Sequence, residues 1–411
     1  MAEKIPHWQS HTFLRAFLWK DGEEGCEICE DAEVKISLDR PAPMGNSPKS
    51  VLEQSQKGEK DQQKDDSGKF LNVLLFPWAI AREIRKARAW AATPEPLKLL
   101  KPSKAVPVDK VKKESNFDIQ QIPSVMRTKL NLPIGAAMLQ KWFDGDINFA
   151  RNSKDLGAEI NQRGEPYPAK MIDTQSVKIK WVLSFKRAEQ AATELINDLL
   201  RTENAIEQIR KKLAQYRDRE WINSVAECGG DTQKMHRLFQ FQLVKVESSW
   251  AQRVKQFATQ EVLNRGMPDE LTFVLGSFAI YAAIGEAFFY KITGGTEVIV
   301  SRINVYVRDS FDFFDAPEEL SQYLGHWNKD GVAIVPLAQI KGVRLLIESP
   351  GRSRALRIDR RFYYSVRNSD FREWQHLHGR GGDYMIYTDI LTKQLIKPIS
   401  LIIPNAYEAR Q

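Results

Sequence analysis

From Phe117 onward, apolar residues recur at helical intervals. Pro123 is placed to open one helix, since its missing N–H falls where a helix start has no partner. Pro133 opens another, in which Ala136, Leu139, Trp142 and Phe143 share a face up to Gly145. At Val177 the period changes: Val177, Ile179, Trp181, Leu183 and Phe185 alternate with Lys178, Lys180, Ser184 and Lys186, which predicts a half-buried strand. Leu195, Leu199, Thr202, Ile206, Ile209, Leu213 and Tyr216 then step by four and three, the spacing of a long helix that packs along its length. Asp231, after Gly229-Gly230, is a good N-cap for a second long helix carrying Met235, Leu238, Val246, Trp250, Val254 and Phe257, stopped by Gly266 and Pro268. Together the two predict an antiparallel helical hairpin; a dimerising coiled coil would use the same stripe.

Leu271 to Tyr290 is twenty residues long and nearly free of charge, the length of a membrane span. Glu286 and the turn-forming Gly276 and Gly285 favour two buried strands instead. Gly294-Gly295 leads into a cleaner strand, where Ile303, Val305 and Val307 alternate with Asn304, Tyr306 and Arg308. Shorter strands are expected around 332–337, 342–348, 361–366 and 384–389. The expectation is an α+β protein: a helical middle with a long antiparallel helical hairpin, followed by a C-terminal antiparallel β-sheet or partial barrel. In chain order this divides into a short N-terminal segment (1–40), a flexible linker (41–69) and a Pro/Lys-rich docking or tether segment (70–115). A mainly helical domain (116–268) and a β-rich candidate activity domain (269–411) follow. The linker is rich in Pro, Gly, Ser, Gln and charge and poor in anything that makes a core.

At 411 residues the chain exceeds the size of a single core, which agrees with several units. Sixty Lys and Arg against 53 Asp and Glu give +7, a weak lean toward phosphates or an anionic membrane surface. The opening Met-Ala-Glu-Lys-Ile-Pro-His-Trp has no basic region leading into an apolar run, so synthesis in the cytoplasm without a signal peptide is expected. Cys26, Cys29 and Cys228 are too few to staple the chain. Cys26 and Cys29 form a CxxC in an acidic stretch, without the electropositive helix start of a redox pair or the second ligand pair of a zinc site.

No Gly-x-Ser-x-Gly elbow, Walker-type loop, dinucleotide fingerprint or His-Glu-x-x-His helix is present. Two places hold candidate chemistry. Asp309, Asp312 and Asp315 recur at intervals of three after a strand and could converge on magnesium or calcium; aspartates also commonly shape turns there. Arg372, Trp374, His376, His378, Gly379, Arg380, Gly381, Gly382 and Asp383 form a second cluster, with two histidines beside a glycine-rich bend as acid–base candidates, or simply a solvated surface turn. The run Arg352, Arg354, Arg357, Arg360 and Arg361 supplies bidentate donors for phosphate, and only weakly suggests nucleic acid.

Three passages carry a resemblance: Phe117-Asp118-Ile119 with Ile122-Pro123 and Met126-Arg127; Trp181 to Ala188; and Val305 to Phe313 with Tyr323-Leu324-Gly325-His326-Trp327. They resemble a bacterial family, domain of unknown function 6402, across roughly 115–390. That resemblance implies cargo of a type VI secretion system, with a carrier or spike protein as partner, an immunity protein, and delivery into a target cell. The β-rich end is more loosely similar to colicin M-type toxins, which cleave lipid II. Leu275-Gly276-Ser277-Phe278, Gly294-Gly295 and Asp309-Ser310-Phe311-Asp312 stand in that family's order, but its closely following His-Arg is replaced by Pro317, Glu318 and Glu319, and the nearest histidine is His326.

The resulting expectation is an antibacterial effector, acting as a metal-assisted hydrolase of a pyrophosphate-linked lipid such as lipid II. Asp309, Asp312, His326, His376, His378 and Arg380 are its candidate catalytic residues, and Asp309, Asp312 and Asp315 its candidate metal ligands. Carboxylates would activate water or hold the cation, and basic groups would stabilise phosphate oxygens. The alternatives are a non-enzymatic secretion adaptor, in which the aspartates only shape a turn, and a membrane-disrupting toxin using Leu271 to Tyr290.

Overall fold

The computed structural model describes residues 7–11, 16–20, 27–29, 36–42, 117–246, 269–315, 321–335, 348–349, 352–353 and 355–407. The expected tether, most of the linker, Cys26 and the strand expected from 342 lie outside the described residues. The helices in chain order are α1 (Ile122–Thr128), α2 (Pro133–Asp144), α3 (Ser153–Ala158), α4 (Ile179–Leu183), α5 (Lys186–Glu194), α6 (Glu203–Leu213), α7 (Ser224–Glu227), α8 (Thr232–Phe239), α9 (Glu270–Leu275) and α10 (Asn368–His378). Pro123 and Pro133 sit in the first turns of α1 and α2 as expected, and Gly145 ends α2. The α2 start is completed from outside its own sequence: Glu270 Oε1 accepts from the Ile134 and Gly135 amides at 2.6 and 3.3 Å, satisfying two donors the helix leaves open.

The chain forms two compact units, each assembled from separate stretches: Met1–Tyr167, Ser249–Val274 and Asp312–Asp383 in the first, and Pro168–Ser248, Leu275–Phe311 and Tyr384–Gln411 in the second. The first holds a seven-stranded antiparallel sheet from β1 (His7–His11), β2 (Ala16–Lys20), β3 (Glu27–Cys29), β9 (Tyr323–Asn328), β10 (Gly331–Ile334), β13 (Ala355–Ile358) and β14 (Arg361–Arg367), in the order β2-β1-β10-β9-β14-β13-β3. A separate two-stranded ribbon pairs β11 (Glu348–Ser349) with β12 (Arg352–Ser353). Asp359 and Arg360, at φ 48° and 65°, make the β13–β14 turn, the left-handed pair that tight hairpins use.

In the second unit the long β7 (Phe278–Ile292) and β8 (Gly295–Phe311) form a central hairpin around Gly294. On the other side of β8 lie β16 (Leu391–Pro404), then β15 (Tyr384–Tyr387), which carries the short parallel β4 (Ile172–Asp173). On the other side of β7 lie β6 (Gln240–Val246) and β5 (Trp221–Asn223). Carbonyls of β16 and the turn after it accept from arginines of the α6 region: Arg201 meets Lys397 O, Arg210 Nε meets Ile402 O at 3.1 Å, and Arg217 Nη1 meets Asn405 O at 3.4 Å. Charged side chains on strand carbonyls are a protection against unwanted strand pairing.

The protein is α+β, with two curled sheets that are mostly antiparallel. Within that class three elements differ from the sequence pattern. The alternating stretch from Val177 is the helix α4, not a strand, with Val177, Ile179 and Val182 buried. Five residues are too few to separate the two periods, and Asp389, distant in sequence, accepts from the Ile179 amide at 2.7 Å and secures the helix start. The helical hairpin is interrupted. After a π turn at Leu195–Leu199, Thr202 caps a new helix with its hydroxyl, 3.3 Å from the Ala205 amide. Asp231 does cap α8, but that helix stops at Phe239 because Gln240–Val246 pairs with β7 as strand β6. Finally, Leu271 to Tyr290 is helix α9 followed by one strand: Gly276 makes the turn, while Gly285 sits at a bulge where an added Cβ would lie 3.0 Å from the Arg302 backbone. Among the described residues, no helix is long and apolar enough to cross a membrane.

Candidate functional site

In the first unit, polar groups gather beneath the end of α10. This helix closes with Gly379 in the left-handed conformation, and the chain folds back through Gly381 at φ +91°. A Cβ on Gly381 would lie 2.7 Å from the Trp142 indole, so glycine lets the backbone run against that ring. The returning strand is tied down on both sides: Gln375 Nε2 donates to Gly381 O at 2.6 Å, the Asp383 amide to Asn148 O at 2.8 Å, and Asn148 Nδ2 to Asp383 O at 2.6 Å.

These ties carry Asp383 into the interior, where it is 1% exposed. Trp142 Nε1 donates to its Oδ1 at 2.9 Å, and Arg372 forks across both oxygens at 3.0 and 2.6 Å. Arg372 is fixed in turn by Phe313 O and Gln375 Oε1, at 3.2 and 3.1 Å. Phe313 and Phe371 pack edge-on against Trp142, the two phenylalanines stacked at 3.8 Å, and the Asp383 end of the pair is buried while Arg372 is half-buried. Loss of solvent pushes the Asp383 carboxyl up to about 6; Arg372 opposes this and the charge of Asp312 adds to it.

Asp312 is half-buried, and its Oδ1 accepts from the Phe314 amide at 2.8 Å. Its field and that of Asp383 both reach Tyr167, whose phenol is pushed above its usual range chiefly by burial. Tyr167 lies between Pro166 and Pro168, and its amide donates to Glu159 O at 2.8 Å. At 6% exposure its hydroxyl has no hydrogen-bond partner among the described residues. A buried donor without a partner is costly to keep, and such groups call for an explanation.

The sequence-predicted site residues are dispersed. Asp309 is in β8 opposite Ile386, in the second unit. Asp315 accepts from the Gln322 amide at 3.0 Å and from Asn368 Nδ2 at 2.8 Å, shaping the turn before α10. Among the described residues no three His, Cys, Asp or Glu side chains converge as a metal site. His326 is fully buried in β9, its Nδ1 2.5 Å from the Tyr323 hydroxyl. His376 and His378 are on helix α10 rather than in a turn: His376 is exposed beside the Phe149 ring, and His378 Nε2 is 2.6 Å from Leu38 O. Arg380 donates to the Asp144 and Gly145 carbonyls at the end of α2. In the arginine run, Arg361 pairs with Asp330 at 3.0 Å, and Arg354 lies outside the described residues.

Of the predicted catalytic set, Asp312 is the member whose charge acts on Asp383 and on Tyr167. Tyr167 escaped the sequence reading, its one local sign being an aromatic residue held between two prolines. Neither the curated proteins nor the solved structures contain a significant match to this chain. A match to the family of unknown function DUF6402 extends over residues 117–403, well over half of the chain, and the protein belongs to that family.

Proposed function

We propose that the protein is an antibacterial effector delivered by a type VI-like secretion system, and that the surroundings of Asp312 form its hydrolytic site, acting on a phosphate-bearing envelope lipid. The observation that supports this reading is the buried Tyr167 hydroxyl, which has no hydrogen-bond partner among the described residues and lies within the fields of three carboxylates, Asp383, Asp312 and Glu159, and of Arg372. Holding its proton, that phenol would donate to a phosphate oxygen while Asp312 takes the proton of an attacking water. The water oxygen bonds to phosphorus, the bridging oxygen leaves with the other phosphate, and that stable anion needs no proton. Asp383 holds Arg372 and sets the local field rather than meeting the substrate, because three donors already occupy its two oxygens. No step is routed through a cation, since Asp309 and Asp315 do not share this site.

Expression of the full chain with and without a periplasmic signal tests the reading. Growth inhibition in the periplasmic form should be lost in Asp312→Ala and strongly reduced in Tyr167→Phe. An absence of inhibition in both compartments would rule it out. A second reading, a non-enzymatic secretion adaptor, draws support from the second unit: Tyr290 and Ile402, 50% and 51% exposed, flank Glu297 across three strands, with Trp221 46% exposed nearby in the sheet. Retention of a spike protein by the non-toxic chain, lost in Tyr290→Ser with Ile402→Ser, would favour that reading.

A further inference from the structure

The sheet of the second unit has a packed face and an open one. On the central hairpin Ala287 and Phe289 of β7 and Val298 and Val300 of β8 are buried, and with a period of two the residues between them point the other way. Register arranges these in rows across four strands: Trp221, Phe288, Ile299 and Ser400 in one, and Tyr290, Glu297 and Ile402 in the next. Trp221, Tyr290 and Ile402 are 46%, 50% and 51% exposed. Large apolar side chains gathered in rows on one open face mark an interaction surface.

Two opposite charges bound this apolar strip along β8. At one end Glu297 Oε1 accepts from Ser400 Oγ at 2.9 Å. At the other a bulge turns Ser301 and Arg302 to the same side: Ser301 Oγ donates to Glu286 Oε2 at 3.1 Å, and Arg302 Nε lies 3.3 Å from that oxygen. Arg302 Nε also donates to Gln394 Oε1 at 2.8 Å, so the side chain is held by its Nε. Among the described residues, the Arg302 Nη groups and Glu297 Oε2 make no hydrogen bond. The bulge also makes the spacing even. Glu297 is opposite Tyr290 and Arg302 opposite Glu286, each two residues along β7 from Phe288, which is opposite Ile299. The two charges therefore stand about 7 Å to either side of the Phe288–Ile299 row.

We propose that this face docks a second copy of the chain, the two sheets facing each other across a two-fold axis at Ile299, with Glu297 of each copy against Arg302 of the other. An axis running across the strands reverses their direction, so a charge on one side of the centre meets the charge on the other side, while Phe288 and Ile299 meet their own counterparts. Facing sheets pack about 10 Å apart, a gap that a glutamate and an arginine side chain close together. The charges select the partner: an unrelated apolar surface would cover the rings and leave both ends unmatched, whereas a second copy supplies both complements. The pairing belongs to the second unit and stands whether or not Asp312 is catalytic.

The test is sedimentation equilibrium of the full chain at micromolar concentration, where particles of two chains are expected. Tyr290→Ser with Ile402→Ser should weaken the association by about tenfold or more, through loss of apolar contact at the centre of the face. Glu297→Arg and Arg302→Glu, prepared separately, should each weaken it by about tenfold or more, because like charges then face each other twice in every pair. Mixed in equal amounts, these two variants should associate about as tightly as the parent, since each contact again joins opposite charges; a folding defect in either one would not be repaired by mixing. A parent chain that stays monomeric overturns the proposal and leaves this face to a carrier protein. Undiminished association in either charge variant overturns it too, as does a mixture that associates no better than its components.

Discussion

The two polar clusters of this protein solve one problem in opposite ways. Around Asp383 a buried negative charge is enclosed completely: a forked arginine, an indole and aromatic walls leave it 1% exposed. Around His236 an imidazole is ringed by the three phenols of Tyr281, Tyr306 and Tyr387, and three of the five members, counting Arg308, stay half-buried. A closed ion pair is a joint, costly to break and of no use to a ligand. On the proposed function, the chemistry near Asp383 belongs to its rim, Asp312 and Tyr167, and not to its centre.

The largest way to sharpen that contrast is Arg372→Met, which strands Asp383 in the interior. A loss of about 3–5 kcal/mol in denaturant unfolding is expected, as for other broken buried pairs. A loss under 1 kcal/mol would show the pair to be marginal.

The next effect is a pH slope. The Asp383 carboxyl, pushed up to about 6 in the folded chain, lies above its ordinary value of 3.8, so between those values the folded chain binds the proton the unfolded chain has released. Stability should fall as pH rises from about 4 to about 6, by on the order of 3 kcal/mol at most, and level off above. Asp383→Asn should flatten that segment of the curve. A slope of the opposite sign would mean that Arg372 outweighs desolvation.

Gly381→Ala comes third. A positive φ and a Cβ pressed against Trp142 together predict a loss of about 2–3 kcal/mol, seen as a lowered melting temperature. In the open cluster, Tyr306→Phe removes a single hydrogen bond and should cost about 1 kcal/mol in the same assay. The smallest change is also a discriminating one: Tyr167→Phe deletes a hydroxyl with no partner and should leave stability equal or raised by about 1 kcal/mol. If that variant also loses toxicity, the hydroxyl is retained for function; if toxicity persists, it is only a packing imperfection.

What could be read from the sequence follows the range of the forces involved. Pro123, Pro133, Asp231 and Gly145 mark helix ends because their effects act within one turn of chain. The β8 alternation is legible because thirteen partners on β7 and ten on β16 repeat one pattern over a strand of 17 residues. The stretch at Ile179 was not, because a short run satisfies both periods and the deciding contact comes from Asp389. Helix α8 stops early for a similar reason: pairing with β7 outweighs the helical spacing of Met235, Leu238 and Val246. The cluster at 372–383 was noticed as a set of chemical groups, but the expected roles of its histidines rested on adjacency, whereas the buried partner of Arg372 is Asp383.

By itself, then, the sequence determined the α+β class, the helix starts at Pro123, Pro133 and Asp231, the strand after Gly294-Gly295 and the family, since all of these are written in local spacing and in residue identity. Only the tertiary structure decided which strands share a sheet, that Asp309 and Asp312 fall in different units, and that Tyr167 lies within the field of Asp312 while His236 meets three tyrosines. Those meetings join residues far apart in the chain. They exist because burial of the apolar faces brings distant stretches together and obliges the polar groups carried in with them to find partners there.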